Sequence, residues 1–345
     1  MRRAAAWTGG ALLVLVLGVA LLKGWERTPA IEDDSGRPVA GAIASLERVV
    51  LGGVEQTVLI RGASTKSPIL LWLHGGPGNP AMFLAHAFQR PLERDFLVVH
   101  WDNRGAGKSY EAGLSAPGQM RVSRLLEDAR ELVELLQRRF GPSPVIVVGH
   151  SFGTYLGVLL AARYPSLVAA YVGVAQGVDE ARENALADDF VRRCARERGD
   201  TAGLAALERD PRGLREEWLF SCDGELVGAR SPLPLIWLGL RAPEYTLMDI
   251  RRVMQGLRFT HRSIVYDVIN EPLGTAVTRL EVPVWVFAGR RDYNTPGVLA
   301  AEWLERLEAP RKTLVWFEAS AHFPFLEEPE RFYAELRRVR AAVAP

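Results

Sequence analysis

The stretch Val145-Ile146-Val147-Val148-Gly149-His150-Ser151-Phe152-Gly153 decides the fold of this chain. Its first four residues are apolar and β-branched, which predicts a buried strand. A helical pattern of apolar residues begins directly after it, at Thr154-Tyr155-Leu156. A glycine stands two residues before and two residues after Ser151, where a tight strand-to-helix turn leaves no room for a Cβ atom. The stretch therefore predicts a serine exposed at a strand end, beside a helix N-terminus that favours negative charge.

Two later residues supply what such a serine needs for catalysis. A serine hydroxyl becomes a nucleophile when a histidine takes its proton and a carboxylate orients that histidine. Asp292 follows a buried strand pattern at residues 283–289, and His322 follows the next one at 313–317. Because the carboxyl ends of parallel strands meet at one edge of a sheet, Ser151, Asp292 and His322 are predicted to converge as a catalytic triad. Glu318 is a rival acid, but it is less well placed.

Acyl transfer also requires hydrogen-bond donors for the oxyanion that forms in the transition state. The backbone N–H of Phe152, the residue after the candidate nucleophile, is the first predicted donor. The second is expected from the loop His74-Gly75-Gly76-Pro77-Gly78, which follows a predicted strand at residues 69–73. We expect the Gly76 N–H to serve, with Gly75 as the alternative, because glycine lets the backbone approach a substrate closely. His74 is expected to hold the loop through hydrogen bonds.

These segments together resemble a known family. The resemblance is carried by the loop 74–78, the segment Asp102-Asn103-Arg104-Gly105-Ala106-Gly107-Lys108-Ser109, the Gly-His-Ser-Phe-Gly turn, Asp292 and His322. The chain resembles the proline iminopeptidase branch of the α/β-hydrolases. The resemblance covers residues 45–175 and 278–340. It implies an α/β fold, in which a mostly parallel sheet is flanked by helices and a helical cap is inserted before the strand of the acid. Asp102 and Arg104 are interpreted as a structural ion pair or loop brace.

The resemblance also implies an activity, namely that of a serine peptidase or esterase that needs no cofactor. The expected reaction is cleavage of an ester or amide bond through an acyl-enzyme, with a small molecule or a short peptide as substrate. Peptidases of this branch hold the substrate's free amine with a tryptophan and a glutamate of the cap. The nearest match is Glu216-Glu217-Trp218, so Glu216 and Glu217 are candidate substrate-binding residues. The alternatives are a carboxylesterase or lipase-like enzyme, and a non-catalytic, membrane-tethered binding protein that kept the fold.

The chain is predicted to divide into a core and a cap. The strand and helix patterns of the core occupy residues 40–176 and 279–345, and residues 177–278 have the helical apolar period expected of a cap. Within the cap, Ser231-Pro232-Leu233-Pro234-Leu235-Ile236-Trp237-Leu238 is an apolar, proline-broken piece that suits a pocket wall or the cap core. Both cysteines, Cys194 and Cys222, also lie in the cap, either as a disulfide that clips it or as two buried thiols.

Charge and composition exclude several classes of function. The 42 basic and 41 acidic residues give a net charge of +1, and no basic stripe suggests a nucleic-acid partner. The sequence has neither a Cys/His cluster typical of zinc sites nor a glycine-rich phosphate-binding or dinucleotide-binding turn. We therefore expect no metal and no cofactor.

The first 26 residues predict a membrane anchor. Residues 4–22 carry no charge and lie between Arg2-Arg3 and Lys23, a length just sufficient to cross a bilayer core. The positive start places the N-terminus inside, so the hydrolase would face the periplasm or the exterior. The alternatives are a cleaved signal peptide with a secreted product, for which Thr28-Pro29-Ala30 is a poor cleavage site, and a mis-assigned start or a peripheral helix.

Overall fold

A single sheet organises the part of the chain that the computed structural model describes, residues 26–111 and 120–343. Eight strands of these residues form it in the order β1-β2-β4-β3-β5-β6-β7-β8. β1 pairs antiparallel with β2 and β2 with β4, whereas β3 to β8 run parallel to one another. The strands are β1 (Ile43–Leu51), β2 (Val54–Gly62), β3 (Ile69–Leu73), β4 (Leu97–Asp102), β5 (Val145–His150), β6 (Val168–Val174), β7 (Val284–Gly289) and β8 (Lys312–Phe317). The predicted α/β-hydrolase architecture is confirmed.

Helices cover both faces of this sheet. They are α1 (Ala85–Phe88), α2 (Val122–Phe140), α3 (Phe152–Arg163), α4 (Glu180–Glu197), α5 (Thr201–Arg209), α6 (Pro211–Ser221), α7 (Leu233–Arg241), α8 (Leu247–Asn270), α9 (Leu273–Ala276), α10 (Gly297–Arg306), α11 (Pro324–Glu327) and α12 (Pro329–Val343). Residues of α2, α3 and α10 pack in one apolar cluster with the sheet. Residues of α1, α11 and α12 pack in a second. Because both faces are covered, β3 to β7 are apolar on both sides rather than alternating.

The helices α4 to α9 lie between the end of β6 at Val174 and the start of β7 at Val284. The longest of these helices are α4, of 18 residues, and α8, of 24 residues. α4, α5 and α6 share a small apolar core of their own. Cys194, near the end of α4, and Cys222, just after α6, form a disulfide with an S–S distance of 2.05 Å. The disulfide alternative for the two cysteines is therefore the one found.

The segment 102–109 braces the core, but Asp102 and Arg104 do not pair with each other. The Arg104 Nε donates to Asp128 Oδ2 at 2.8 Å, and both side chains are buried. Asp102 Oδ2 accepts from the backbone N–H of Lys108 at 2.8 Å and also from the hydroxyl of Tyr245. The brace interpretation is correct, whereas an ion pair between residues 102 and 104 is wrong, because Asp128 of α2 takes the guanidinium.

Among residues 26–111 and 120–343, no helix is both long enough and apolar enough to cross a membrane. The predicted anchor at residues 4–22 lies outside the described residues and stays a prediction.

Candidate active site

Ser151 lies in a strained turn between β5 and α3. Its backbone has φ +54° and ψ −124°, a conformation that L-residues rarely adopt. Its N–H donates to the carbonyl of Val174 at 3.0 Å, which fixes the turn to the end of the neighbouring strand β6. Strain of this kind persists where the surrounding structure holds it, and it is concentrated at functional sites.

The two glycines around Ser151 are required by backbone contacts. A Cβ atom on Gly149 would lie 2.4 Å from the carbonyl oxygen of Gly153. A Cβ atom on Gly153 would lie 2.1 Å from the carbonyl oxygen of Leu73 on β3. The neighbours are backbone atoms, which cannot turn aside as a side chain does, so this turn needs glycine at both positions.

His322 and Asp292 meet beside this turn. The His322 Nδ1–H donates to Asp292 Oδ2 at 2.9 Å, and both side chains are buried. Asp292 Oδ2 also accepts from the Thr295 hydroxyl at 2.9 Å, and its Oδ1 accepts from the backbone N–H groups of Asn294 and Thr295 at 2.9 and 2.8 Å. This arrangement fixes the imidazole tautomer and leaves Nε2 available for a proton.

Glu318, the rival acid, lies elsewhere. Both of its carboxylate oxygens accept from the Arg290 guanidinium at 2.9 Å, in an exposed salt bridge. The acid that contacts His322 is therefore Asp292, whereas Glu318 forms an ion pair with Arg290 at the surface.

The loop 74–78 approaches the serine closely. A Cβ atom on Gly75 would lie 3.1 Å from the Cβ of Ser151, and Gly76 has φ +116°. The imidazole of His74 contacts the carbonyl of Gly75 at 2.8 Å and accepts from the N–H of Asn103 at 3.4 Å. Burial lowers the pKa of His74 to about 4, so it is neutral. These contacts suit the loop-holding role expected of His74.

Ser151 and His322 line one cavity of ≈ 560 Å³ between the sheet edge and the cap. Its wall combines apolar side chains, including Phe83, Leu235 and Leu257, with acidic, basic and amide groups. Gly75 and Gly76 also line it. A concave pocket that combines apolar walls with convergent polar groups suits a small molecule. In the described ranges, no group of three or more His, Cys, Asp or Glu side chains is placed to hold a metal ion.

The two cap glutamates predicted from the sequence differ in position. Glu216 lines the cavity, whereas Glu217 is exposed and is not among the described lining residues. Consecutive residues of a helix point about 100° apart, so α6 brings one of the pair to the cavity and turns the other away. Glu217 is therefore not placed at this cavity, and its role as a substrate contact stays a prediction.

A glutamate that sequence reasoning did not select lies closer to the candidate triad. Glu225 lines the cavity and is 6% exposed. Its Oε1 accepts from the Asn294 amide at 3.2 Å, and its backbone carbonyl accepts from the N–H of His322 at 3.0 Å. Its Oε2 is buried and has no hydrogen-bond partner among the described residues. A buried carboxylate oxygen of this kind is costly unless a ligand satisfies it.

The charges of Glu225 and His322 affect each other. Burial raises the pKa of Glu225 to about 7, with His322 opposing and Asp292 adding to the rise. Burial disfavours the imidazolium of His322, but the carboxylates of Asp292 and Glu225 outweigh it and raise the pKa of His322 to about 9. Perturbed values in one cavity are characteristic of functional sites.

Comparison with known proteins agrees with this geometry. The model of the alpha/beta hydrolase family matches residues 70–335. The chain belongs to this family. The hydrolase is 29% identical over 311 residues to the probable aminopeptidase YbaC of Bacillus subtilis (strain 168), covering 87% of this chain and 98% of that protein. It is 25% identical over 293 residues to the proline iminopeptidase of Heyndrickxia coagulans, covering 78% and 88%.

A solved structure shows the same fold. The proline iminopeptidase-related protein of Thermus thermophilus superposes with a TM-score of 0.66 at 24% identity, covering 88% of the hydrolase and 99% of that chain. The family match and the two relatives by sequence confirm the resemblance to the proline iminopeptidase-like branch of the α/β-hydrolases.

Proposed function

We propose that this hydrolase is a serine aminopeptidase that releases an N-terminal residue through an acyl-enzyme. The observation that carries the proposal is the buried, unpartnered Oε2 of Glu225 in the cavity that Ser151 and His322 line. An exopeptidase must bind the substrate's ammonium group beside the reacting carbonyl, and a buried carboxylate suits that task. The names of the B. subtilis and H. coagulans relatives point to the same class.

The proposed mechanism uses Ser151 as nucleophile, His322 as base and then acid, and Asp292 as the group that orients His322. Ser151 Oγ forms a bond to the carbonyl carbon of the substrate as its proton passes to Nε2 of His322. Asp292 accepts the hydrogen bond from the Nδ1–H of His322 and so orients the imidazole. The N–H groups of Phe152 and Gly76 stabilise the oxyanion. Collapse of this intermediate breaks the C–N bond, and the departing amine takes the proton from His322. Water then attacks the acyl-enzyme by the same route and frees Ser151.

Hydrolysis of a prolyl anilide by the full chain tests this function, beside the same anilide with its amine acetylated. We expect cleavage of the free-amine substrate alone, and loss of that cleavage in Ser151→Ala. Cleavage of the acetylated anilide as fast as the free-amine anilide would favour the carboxylesterase alternative. A folded protein that cleaves neither anilide and no simple ester would favour a binding protein.

The role of Glu225 is tested by Glu225→Gln. A hydrogen bond to a charged group contributes about 1.5–3 kcal/mol, so we expect kcat/KM for the free-amine anilide to fall about 10- to 100-fold. Glu216→Gln is the matched control, because Glu216 lines the same cavity but is exposed. Equal losses in the two variants would contradict recognition of the amine by Glu225.

We also propose that residues 4–22 anchor the hydrolase in a membrane and that its catalytic domain lies outside the cytoplasm. The uncharged run supports this, and so does the Cys194–Cys222 disulfide, because disulfides persist in oxidising compartments. Carbonate extraction of membranes and protease treatment of spheroplasts test it. Recovery in the soluble fraction, or protection from external protease, would contradict it.

A further inference from the structure

The helix α7 presents large apolar side chains to the surface of the cap. Leu233, Ile236, Trp237 and Leu240 are 66%, 50%, 61% and 38% exposed. From Leu233 to Leu240 the helix contains no charged residue, and Arg241 ends it. An exposed apolar group of this size, with a tryptophan in it, marks an interaction surface.

The other side of α7 is apolar too. Leu235 and Leu238 pack against the core cluster that includes Phe83, and a Cβ atom on Gly239 would lie 2.8 Å from the Phe83 ring. A helix that is apolar all round is normally buried. In the described residues α7 is covered on one side only, so its outer side calls for a partner.

The apolar surface continues beyond α7. The linker 242–246 leads directly into α8, where Leu247, Met248 and Met254 are 44%, 57% and 51% exposed. We define the outer face as the exposed apolar residues of α7 together with these three residues.

Arginine predominates among the charged residues of the stretch that contains the outer face. Between residues 230 and 262 the acids are Glu244 and Asp249, and both are buried. Asp249 is also paired with Lys108 and Arg252. The exposed arginines of the same stretch are Arg230, Arg241, Arg251, Arg258 and Arg262, of which Arg230 pairs with Asp223 and Arg258 lines the cavity. Apolar side chains bordered by arginine are suited to a surface with an apolar interior and anionic headgroups.

The start of the described chain lies at the same place. The N–H of Arg27 donates to the carbonyl of Pro243 at 3.2 Å, in the linker between α7 and α8. Glu26 pairs with Lys108 at 2.6 Å. The described part of the chain therefore begins beside the linker that joins α7 to α8.

We propose that the outer face lies on an anionic lipid bilayer, with Trp237 and its apolar neighbours at the boundary between headgroups and acyl chains. The N-terminal segment fits this face less well, because it begins with Met1-Arg2-Arg3 and would bring positive charge to an arginine border. A second copy of the chain would bring the same arginines together. The inference concerns the surface of the cap and does not depend on which bond the enzyme cleaves.

Fluorescence quenching in vesicles tests the proposal. The two cysteines of the chain form the disulfide, so Trp237→Cys supplies a single reactive thiol for an environment-sensitive dye. The full-length protein is reconstituted in phosphatidylcholine vesicles with or without phosphatidylglycerol, with a doxyl quencher high on the acyl chain. Val298→Cys is the matched control, because Val298 is an apolar residue of α10 that is 53% exposed.

We expect strong quenching at position 237, little at position 298, and quenching at 237 that rises several-fold with phosphatidylglycerol at low salt. Equal quenching at the two positions, or none at 237, would overturn the proposal. A dye at 237 that is already shielded without lipid would indicate coverage by the N-terminal segment. Disulfide-linked dimers of unlabelled Trp237→Cys, with an unquenched dye, would indicate a second copy. Either result would also overturn it.

Discussion

Glu225 lines the cavity and also influences the pKa of the candidate base, His322. Its carboxylate contributes to the raised pKa of His322, which is about 9, so the free protein holds this imidazole mainly protonated at neutral pH. A protonated His322 cannot accept the Ser151 proton. We therefore expect hydrolysis to increase as pH rises and His322 loses its proton.

Glu225→Gln removes a negative charge from this environment, and we expect the pKa of His322 to fall. The acid limb of kcat/KM for p-nitrophenyl acetate, which has no ammonium group, should move about one unit to lower pH. Glu216→Gln should leave the limb in place. A limb that does not move in Glu225→Gln would show that Asp292 alone sets the basicity of His322.

Gly153 provides a second prediction at this scale. In Gly153→Ala the new methyl group would meet the Leu73 carbonyl oxygen at 2.1 Å, so strand β3 and helix α3 must separate. We expect a loss of about 3 kcal/mol in the free energy of unfolding, measured by urea denaturation. In the control, Gly177→Ala, the nearest atom lies at 3.8 Å, and we expect a change within about 0.5 kcal/mol. Similar losses in both variants would contradict the steric argument.

The sequence indicates the positions of the three candidate triad residues because each of them follows a strand of the parallel sheet. Ser151, Asp292 and His322 are placed by β5, β7 and β8, and parallel strands bring their carboxyl ends together whatever their separation along the chain. Glu225 follows no strand. It lies in a turn after α6, and its approach to His322 depends on how the cap packs on the core, which periodicity does not reveal.

At the scale of elements, the disulfide joins the two longest helices of the first half of the cap. Replacing both Cys194 and Cys222 by alanine releases a loop of 28 residues. We expect a loss of about 3.5 kcal/mol in the stability of the cap, from the greater entropy of the unfolded chain. Urea denaturation followed by tryptophan fluorescence measures it. Native protein with its disulfide reduced should unfold at the same urea concentration as the double variant. A midpoint that is unchanged from the oxidised native protein in both would contradict this role for the disulfide.

α7 is the element that sequence reasoning interpreted least well. The prolines at 232 and 234 suggested a broken segment, but both lie at the start of a helix, where their missing N–H groups cost nothing. The alternatives of pocket wall and cap core each assume burial. Leu235 does line the cavity, yet Trp237 is exposed. An apolar pattern in the sequence does not show whether a residue is covered by the rest of the protein or by a lipid bilayer.

At the scale of the whole molecule, Lys108 connects the core to the cap. Its Nζ donates to Asp249 Oδ2 at 2.6 Å and to the Glu244 carbonyl at 3.0 Å, and its side chain is buried. Burial opposes ionisation of Asp249, but the hydrogen bond from Lys108 and those from Thr246 outweigh it and lower the pKa of Asp249.

Lys108→Ala leaves Asp249 buried without its main partner, and we expect about 3 kcal/mol of destabilisation at neutral pH. Because the pKa of Asp249 is lower in the folded protein, its charge stabilises the fold at pH values above the pKa of the unfolded state. The difference in free energy of unfolding between variant and native protein should therefore shrink as the pH falls through the folded-state pKa of Asp249. Arg252→Ala removes the half-buried partner of the same carboxylate and should cost less than about 1 kcal/mol. Equal losses, measured by urea denaturation across pH, would contradict the assignment of Lys108 as the main partner.

The position of Glu225 has a consequence for how charge is arranged around the base. Glu225 lies in the cap, whereas His322 and Asp292 lie in the core. The turn that carries Glu225 is nevertheless tied to the core by three hydrogen bonds. The N–H of Tyr293 donates to the carbonyl of Gly224 at 3.0 Å, the N–H of His322 donates to the carbonyl of Glu225 at 3.0 Å, and the N–H of Val227 donates to Glu327 Oε1 at 2.9 Å. This carboxyl group is thus held by the same loops that carry the base and its acid, and in mechanical terms it is part of the core.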